Sequence, residues 1–187
     1  MITIVFCHPQ TDSFCHRILN EITTVLTREG REYDVINLYG ENYNPVLDSA
    51  DLACWTSGNS SDPQSRQYAE TLSKTTKIIF IFPIWWGSMP AMLKGFIDKS
   101  FIKGIVYDFT PEGSIMPCLS IDDTTLITTS EDDSELFGNY IMGCLAPMTL
   151  TPVGMNSAQW FNCDHISRKT DAERNNFITD VVAHIAR

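Results

Sequence analysis

Apolar residues recur along this chain with two periods, and the places where one gives way to the other divide it into alternating strands and helices. Ile2-Thr-Ile-Val-Phe6 is short, β-branched and apolar on both parities, the pattern of a central strand covered on both faces. A polar turn, Cys7 to Ser13, follows. Ile18, Leu19, Ile22, Val25 and Leu26 then fall at helical spacing until Gly30 stops the run. Glu32 to Leu38 predicts a second strand. Residues 40 to 64 are rich in Asn, Ser, Asp, Gly and Pro and predict a long connection with a short helical turn at Asp48 to Trp55. Asp62-Pro63 starts a helix whose narrow stripe holds Tyr68 and Leu72.

Lys77 to Phe82 is apolar on both parities again and predicts a central third strand. Pro83 to Met89 is a turn, and Pro90 opens a helix with Leu93, Phe96, Ile97 and Phe101 on one face. Tyr107, Phe109, Pro111 and Gly113 mark a loop or small hairpin, and Thr124 to Thr129 a fourth strand. Leu136, Tyr140, Ile141 and Leu145 suggest a helix, and Leu150 to Phe161 an uneven fifth strand. Thr170-Asp-Ala-Glu173 is a capping box for a closing helix that buries Phe177, Ile178, Val181, Val182 and Ile185. Strands alternating with helices in this way predict an α/β fold, a five-stranded parallel sheet with helices on both faces and right-handed crossovers. The length suits the flavodoxin-like order 2-1-3-4-5, in which ligands sit outside the carboxyl ends of the strands at the switch point. The loops Cys7–Ser13, Pro83–Met89 and Ser130–Asp133 then share one crevice.

Composition narrows the partners. The 187 residues are expected to form a single domain, 1–187, able to bury a core without disulfides or a structural metal. A formal charge of −10 repels a phosphate backbone and an anionic bilayer face, which argues against nucleic acid. Cysteines at 7, 15, 54, 118, 144 and 163 contain no CxxC pair and read as reduced thiols. The first residues carry no signal-peptide pattern and no apolar run is long enough to span a bilayer, so a cytoplasmic protein without a transmembrane segment is expected.

The first loop contains neither GxGxxG nor GxxxxGK[ST], and the Arg that a Cys7 phosphatase loop requires is replaced by Ser13. Ser13 at a helix start, beside His8, Gln10 and Thr11, offers an anion site or simply an N-cap. In the third loop, Trp85 and Trp86 are adjacent and cannot both face a core. One of them can wall a flat ring, with the amides of Ile84 to Gly87 at its polar edge; packing or a dimer interface is the alternative. His16 and His184 fall on expected helix surfaces, where solvation is expected, and no carboxylate spacing surrounds His165. No metal ligand set is expected. The acidic run Glu131-Asp132-Asp133 with Glu135 lacks a calcium-loop pattern and sits where it can cap a helix.

Phe6-Cys-His-Pro-Gln-Thr-Asp-Ser-Phe14, Leu38-Tyr39 with Asn44-Pro45, and above all Phe82-Pro-Ile-Trp-Trp followed by Met89-Pro-Ala-Met-Leu-Lys-Gly-Phe-Ile-Asp98 resemble the NAD(P)H:quinone oxidoreductase family. That group has a flavodoxin-like fold and includes DT-diaphorase, the modulator of drug activity B and potassium-efflux ancillary reductases. The resemblance implies FMN or FAD, NAD(P)H as hydride donor, a quinone or similar acceptor, a ping-pong cycle and a homodimer. FMN is expected, because a short chain has fewer loops to cradle an adenosine. By the same resemblance, His8, Ser13, Phe14 and Cys15 line the flavin phosphate, and Pro83, Ile84, Trp85 and Trp86 run along the isoalloxazine. Thr128, Thr129, Ser130 and Glu131 meet its pyrimidine end. The chain departs from the family by carrying Ser130 and Glu131 where two glycines are common, and by having no histidine between His16 and His165 for the Tyr and His pair of the mammalian members. No catalytic residue is identified. A flavin-binding electron carrier or regulatory subunit, without quinone turnover, is the rival reading, and a relative that has lost flavin is a third.

Overall fold

The computed structural model of the chain describes residues 1–55 and 57–186. Its main sheet contains β1 (Ile2–Phe6), β2 (Tyr33–Asn37), β3 (Lys77–Pro83), β6 (Asp123–Thr129) and β7 (Ala158–Cys163), all parallel, in the order β2-β1-β3-β6-β7. The expected 2-1-3-4-5 order is therefore present, with an inserted antiparallel hairpin of β4 (Tyr107–Phe109) and β5 (Ile115–Pro117) where a hairpin or loop was expected.

The two apolar parities of the central strands explain the two layers. Ile2, Ile4 and Phe6 of β1 and Ile79 and Ile81 of β3 pack on one face with Ile18, Ile22 and Leu26 of α1 (Phe14–Arg28) and Ile178, Val181 and Ile185 of α6 (Asp171–Ile185). Val5, Ile78, Phe80 and Phe82 point to the other face. There they meet Tyr68 and Leu72 of α3 (Pro63–Leu72), and Leu93 and Phe96 of α4 (Ala91–Ser100). Because successive strand residues alternate sides, a strand apolar at every position can only be one that is covered twice.

The excursion between β2 and β3 carries α2 (Ser49–Trp55) and is held down by buried chemistry. Lys99 of α4, with only 2% of its side chain exposed, donates to Asp62 Oδ2 at 2.8 Å and to the Asn44 carbonyl at 3.0 Å, with Asp51 at 3.7 Å. One helix turn earlier, Gly95 lets α4 approach the same excursion: a Cβ there would sit 2.2 Å from the Pro45 carbonyl oxygen. Gly95 of the strand-3 signature and Lys99, one residue beyond it, thus fix this excursion.

The stretch expected as a fifth strand from Leu150 begins instead at Ala158. After α5 (Ser134–Tyr140) the chain widens into a ten-residue π-helical segment, Ile141–Leu150, and then a 3₁₀ turn, Thr151–Val153. Gly154, at φ +95°, turns the chain where a Cβ would lie 2.1 Å from the Leu119 carbonyl oxygen. Leu150, Val153 and Met155 are buried as predicted for a strand, but by folding under the sheet edge. The histidines expected to be solvated are also packed. His16 lies edge-on to Phe6 at 5.2 Å, and His184 lies 4.9 Å from the Phe161 ring with Nε2 3.3 Å from Thr125 Oγ1. No helix among the described residues is long and apolar enough to cross a membrane.

Candidate active site

Three connections leave the carboxyl ends of β1, β3 and β6 side by side, as parallel strands require. The connection after β1 is stitched to the one after β3 by a ring contact: His8 and Trp85 sit edge to face with centroids 5.8 Å apart. His8 Nδ1 accepts from the Gln10 amide at 3.1 Å, so in the neutral ring the proton is on Nε2. Partial burial favours that neutral form by lowering its pKa below 6.5. Ser13 is the N-cap of α1, its Oγ accepting from the His16 amide at 3.2 Å. Among the described residues the Phe14 amide, at the first position of the helix, has no protein partner, and the Cys15 amide meets only its own thiol.

The predicted residues do not all reach this mouth with their side chains. Phe14 turns to Phe177, with centroids 6.2 Å apart, and the Cys15 thiol is buried against Thr129 Oγ1 at 3.5 Å. Desolvation pushes Cys15 up to about 12, so it is an inert neutral thiol under the crevice floor and offers the site its backbone only. Pro83 ends β3 within the core.

The turn after β3 differs from the expectation in which amides it presents. Ile84 N donates to the Thr129 carbonyl at 2.8 Å and Trp85 N to the Ser88 carbonyl at 2.9 Å, so these two amides are spent on the fold. Those of Trp86 and Gly87 are without a protein partner among the described residues. The reason is the backbone: Trp86 at φ +51° and Gly87 at φ +74° are the two left-handed central residues of a tight turn that the reciprocal Trp85 and Ser88 backbone bonds close, which leaves their own amides outside the ladder. The Trp86 indole is fully exposed, whereas Trp85 is 41% exposed and half-inserted between the two loops. Tyr140 supports the turn from below, its Oη accepting from Ser88 Oγ at 3.0 Å and from the Met89 amide at 3.3 Å.

The loop after β6 is the opposite in character. Thr128 Oγ1 donates to Asn162 Oδ1 and accepts from Trp160 Nε1, both at 2.8 Å. Asn162 Nδ2 donates to Ser130 Oγ at 2.8 Å and to Ser134 Oγ at 3.0 Å. The Glu131 carboxylate, which replaces a common glycine, turns onto Ser167, accepting from Oγ at 2.6 Å. Asp133 stands at the N-cap of α5 but makes no cap; its carboxylate goes to His165, which the chain spacing left without a carboxylate. Sequence reasoning missed Asn162, His165, Ser167 and Tyr140, whose partners lie roughly 30 to 50 residues away in the chain.

Residues 1–181 match a protein family described as having a flavodoxin-like fold. The chain belongs to that family. An NAD(P)H oxidoreductase of Escherichia coli K12, described as uncharacterized, is 34% identical over 108 residues, which span 57% of this flavodoxin-like chain and 55% of that protein. This chain therefore matches little more than half of that relative's length. The solved NAD(P)H:quinone oxidoreductase of Methanothermobacter marburgensis is 22% identical, with a TM-score of 0.83, over 100% of this chain and 97% of that one. An FMN-dependent NADH-azoreductase of Bacillus anthracis, solved in complex with FMN, has 16% identity and a TM-score of 0.77, over 99% of this chain and 96% of that one. At these identities the two structures establish the shared fold.

Proposed function

We propose that this flavodoxin-like protein is an NAD(P)H-dependent flavin oxidoreductase that uses FMN in the crevice and passes electrons to a quinone or similar acceptor. The observation that carries the reading is the pair of unspent amides at Trp86 and Gly87, in the turn whose Trp85 meets His8 of the first loop, together with the unspent Phe14 amide at the start of α1. Trp86 and Gly87 are exposed and the start of α1 is an electropositive helix end, so both present donors that the fold leaves open to a ligand with a polar ring edge and an anionic tail. FMN has that form. When bound, it would supply a two-electron hydride relay between NAD(P)H and the acceptor in ping-pong order.

The residues of this chain supply the rest. Trp85 gives an aromatic wall, and neutral His8 holds that wall in place with Nε2–H directed away from Gln10. Ser13, Phe14 and Cys15 would receive the phosphate through the start of α1. Thr129 and Ile84 join the β3 and β6 ends, while Thr128 and Ser130 belong to the bonded floor beneath the pyrimidine end. Glu131, bound to Ser167, keeps its negative charge off the ring edge. The oxidoreductase description of the E. coli relative, the acceptor in the M. marburgensis protein and the FMN of the B. anthracis protein support donor, acceptor and cofactor in turn.

A single-domain, cytoplasmic homodimer completes the reading. Support comes from apolar side chains left in solvent: Leu52 and Trp55 on α2, Ile115 and Met116 on the hairpin, and Trp86 at the crevice. The test is a titration of the purified chain with FMN, followed by NAD(P)H oxidation with and without a quinone. Quenched flavin fluorescence with acceptor-dependent turnover is expected. Bound flavin without NAD(P)H oxidation would transfer the reading to an electron carrier. A protein that quenches no flavin would overturn it. Sedimentation at micromolar concentration should give twice 21.1 kDa.

A further inference from the structure

His165 joins the loop after β6 to the loop after β7 through both of its ring nitrogens. Nδ1 lies 2.9 Å from the Glu131 carbonyl oxygen, and Nε2 lies 2.9 Å from Asp133 Oδ1. A carbonyl oxygen only accepts, and so does an ionised carboxylate; each contact therefore needs a proton on its nitrogen. A neutral imidazole has one N–H and can satisfy one contact. Only the imidazolium satisfies both. The residue sits at φ +44°, in the left-handed region that histidine, asparagine and aspartate adopt more readily than other side chains.

We propose that protonated His165 is a positioning residue that clasps Ser130–Asp133 against the β7 loop and so holds the floor of the crevice in shape for its ligand. The geometry of the clasp is independent of the ligand; its consequence for binding rests on the flavin reading above. The charged groups around the ring are Asp133, Asp164, Glu131, Asp132, Lys169, Arg168 and Glu173. Asp133 holds the ring directly. Asp164 adds negative charge but is paired with Lys169 at 2.9 Å, and the Glu131 carboxylate is bound to Ser167. Asp132 lies within the clasped loop, its carbonyl accepting from Ser130 Oγ at 2.8 Å. Arg168 and Glu173 line the same cleft of about 270 Å³ with His165 and Lys169, and Glu173 is engaged by the Thr170 cap. The hydrogen bond to Asp133, followed by that to the Glu131 carbonyl, raises the pKa of His165 above 6.5, in agreement with the contact argument.

The sign follows from linkage. A group whose folded pKa is raised contributes fully below its unfolded value and loses that contribution as pH rises through the folded value. The clasp is therefore closed below pH 6.5 and released as pH rises through the raised folded value. On release, one ring nitrogen faces an acceptor with no proton between them, and the Glu131 or the Asp133 contact must break. The loop is then left to its other ties, the Ile166 amide to the Ser130 carbonyl at 3.0 Å, Asn162 Nδ2 to Ser130 Oγ at 2.8 Å and Ser167 Oγ to the Glu131 carboxylate at 2.6 Å.

Two measurements test this. Imidazole nitrogen–proton NMR on the protein without added cofactor should show two ring N–H signals for His165. They should be lost with a midpoint above 6.5, and the amides of Ser130 to Asp133 should move with the same midpoint. One ring N–H only, or a midpoint at or below 6.5, overturns the clasp whatever the protein binds. FMN affinity is then followed from about pH 5.5 to about pH 9 for the parent, His165→Asn and Asp133→Asn. Asn suits the left-handed backbone at 165, so that variant tests the ring rather than the fold. The phosphate's own ionisation is common to all three proteins, and the readout is the difference between profiles. The parent should lose about 3- to 10-fold in affinity across the midpoint, His165→Asn should lie flat near the alkaline value, and Asp133→Asn should move the midpoint down. A parent-like profile in His165→Asn overturns the proposal. Absence of FMN binding at every pH overturns the flavin reading instead, and the NMR midpoint together with the amides of the loop still decides the clasp.

Discussion

The turn after β3 and the loop after β6 are neighbours at one end of the same sheet, joined by the Ile84 to Thr129 hydrogen bond, yet they treat their polar groups in opposite ways. The first leaves two consecutive amides unpaired and one indole wholly in solvent. The second pairs its hydroxyls, amide and carboxylates among themselves through Asn162, Trp160, Ser167 and His165. An unpaired half waits for a partner, and a paired half can only support one. The contrast teaches that the side-chain-rich β6 loop, glycine-poor though it is, is built as a scaffold, while the free donors that the proposed ligand would use lie on the bare backbone of the β3 turn.

The largest effect on this contrast should come from the paired half. Thr128→Val keeps the shape but removes the hydroxyl shared by Trp160 Nε1 and Asn162 Oδ1, and should cost about 2 to 3 kcal/mol in urea unfolding, with both partners left short of a bond. A loss under about 0.5 kcal/mol would show that the knot is not structural. Next, Trp85→Ala should weaken FMN binding by about 1 to 3 kcal/mol, roughly 5- to 150-fold in Kd, with a smaller change in stability. Trp86→Ala is the internal control. Its side chain packs on nothing in the monomer, so unfolding should change by less than about 0.5 kcal/mol, and the effect should appear in acceptor turnover or dimer dissociation. Equal losses of stability from both tryptophans would return the pair to core packing.

Gly87→Ala sharpens the unpaired half. A Cβ at Gly87 meets no atom within 4 Å, so the penalty is the left-handed backbone alone, about 1 kcal/mol, and any larger loss of FMN affinity reports the displaced amides. The smallest effect concerns acid. The hydrogen bond from Lys169, the leading cause, holds Asp164 below its ordinary value of 3.8. Its contribution is therefore complete above pH 3.8 and fades as pH falls through the lower folded value. The near-ultraviolet signal of Trp160, beside this knot, should stay constant from neutral pH down to about 4 and change only below that. A change beginning near pH 5 would assign the knot to another group.

The layers, strand order and the three-loop crevice were legible because burial leaves a local, periodic trace. Ile2 to Phe6 and Lys77 to Phe82 are apolar on both parities since helices cover both faces, and any window of the chain contains that information. The strand-3 signature, Phe82 to Asp98, likewise marked its own turn and helix. Where the trace misled, burial was real but the geometry was not periodic: Leu150, Val153 and Met155 are in the core through a π-helical and 3₁₀ path that no regular spacing announces.

The tertiary structure alone decided which polar groups are spent. Whether an amide at 84, 85, 86 or 87 is free depends on a carbonyl at 129 and on left-handed backbone at 86 and 87. Whether Glu131 threatens the crevice depends on Ser167, and whether His165 is a surface residue or a clasp depends on Asp133. These are pairings between loops brought together by the parallel crossovers, tens of residues apart and without periodicity. A hydrogen bond needs its partner within about 3 Å, and only the folded chain brings distant loops that close.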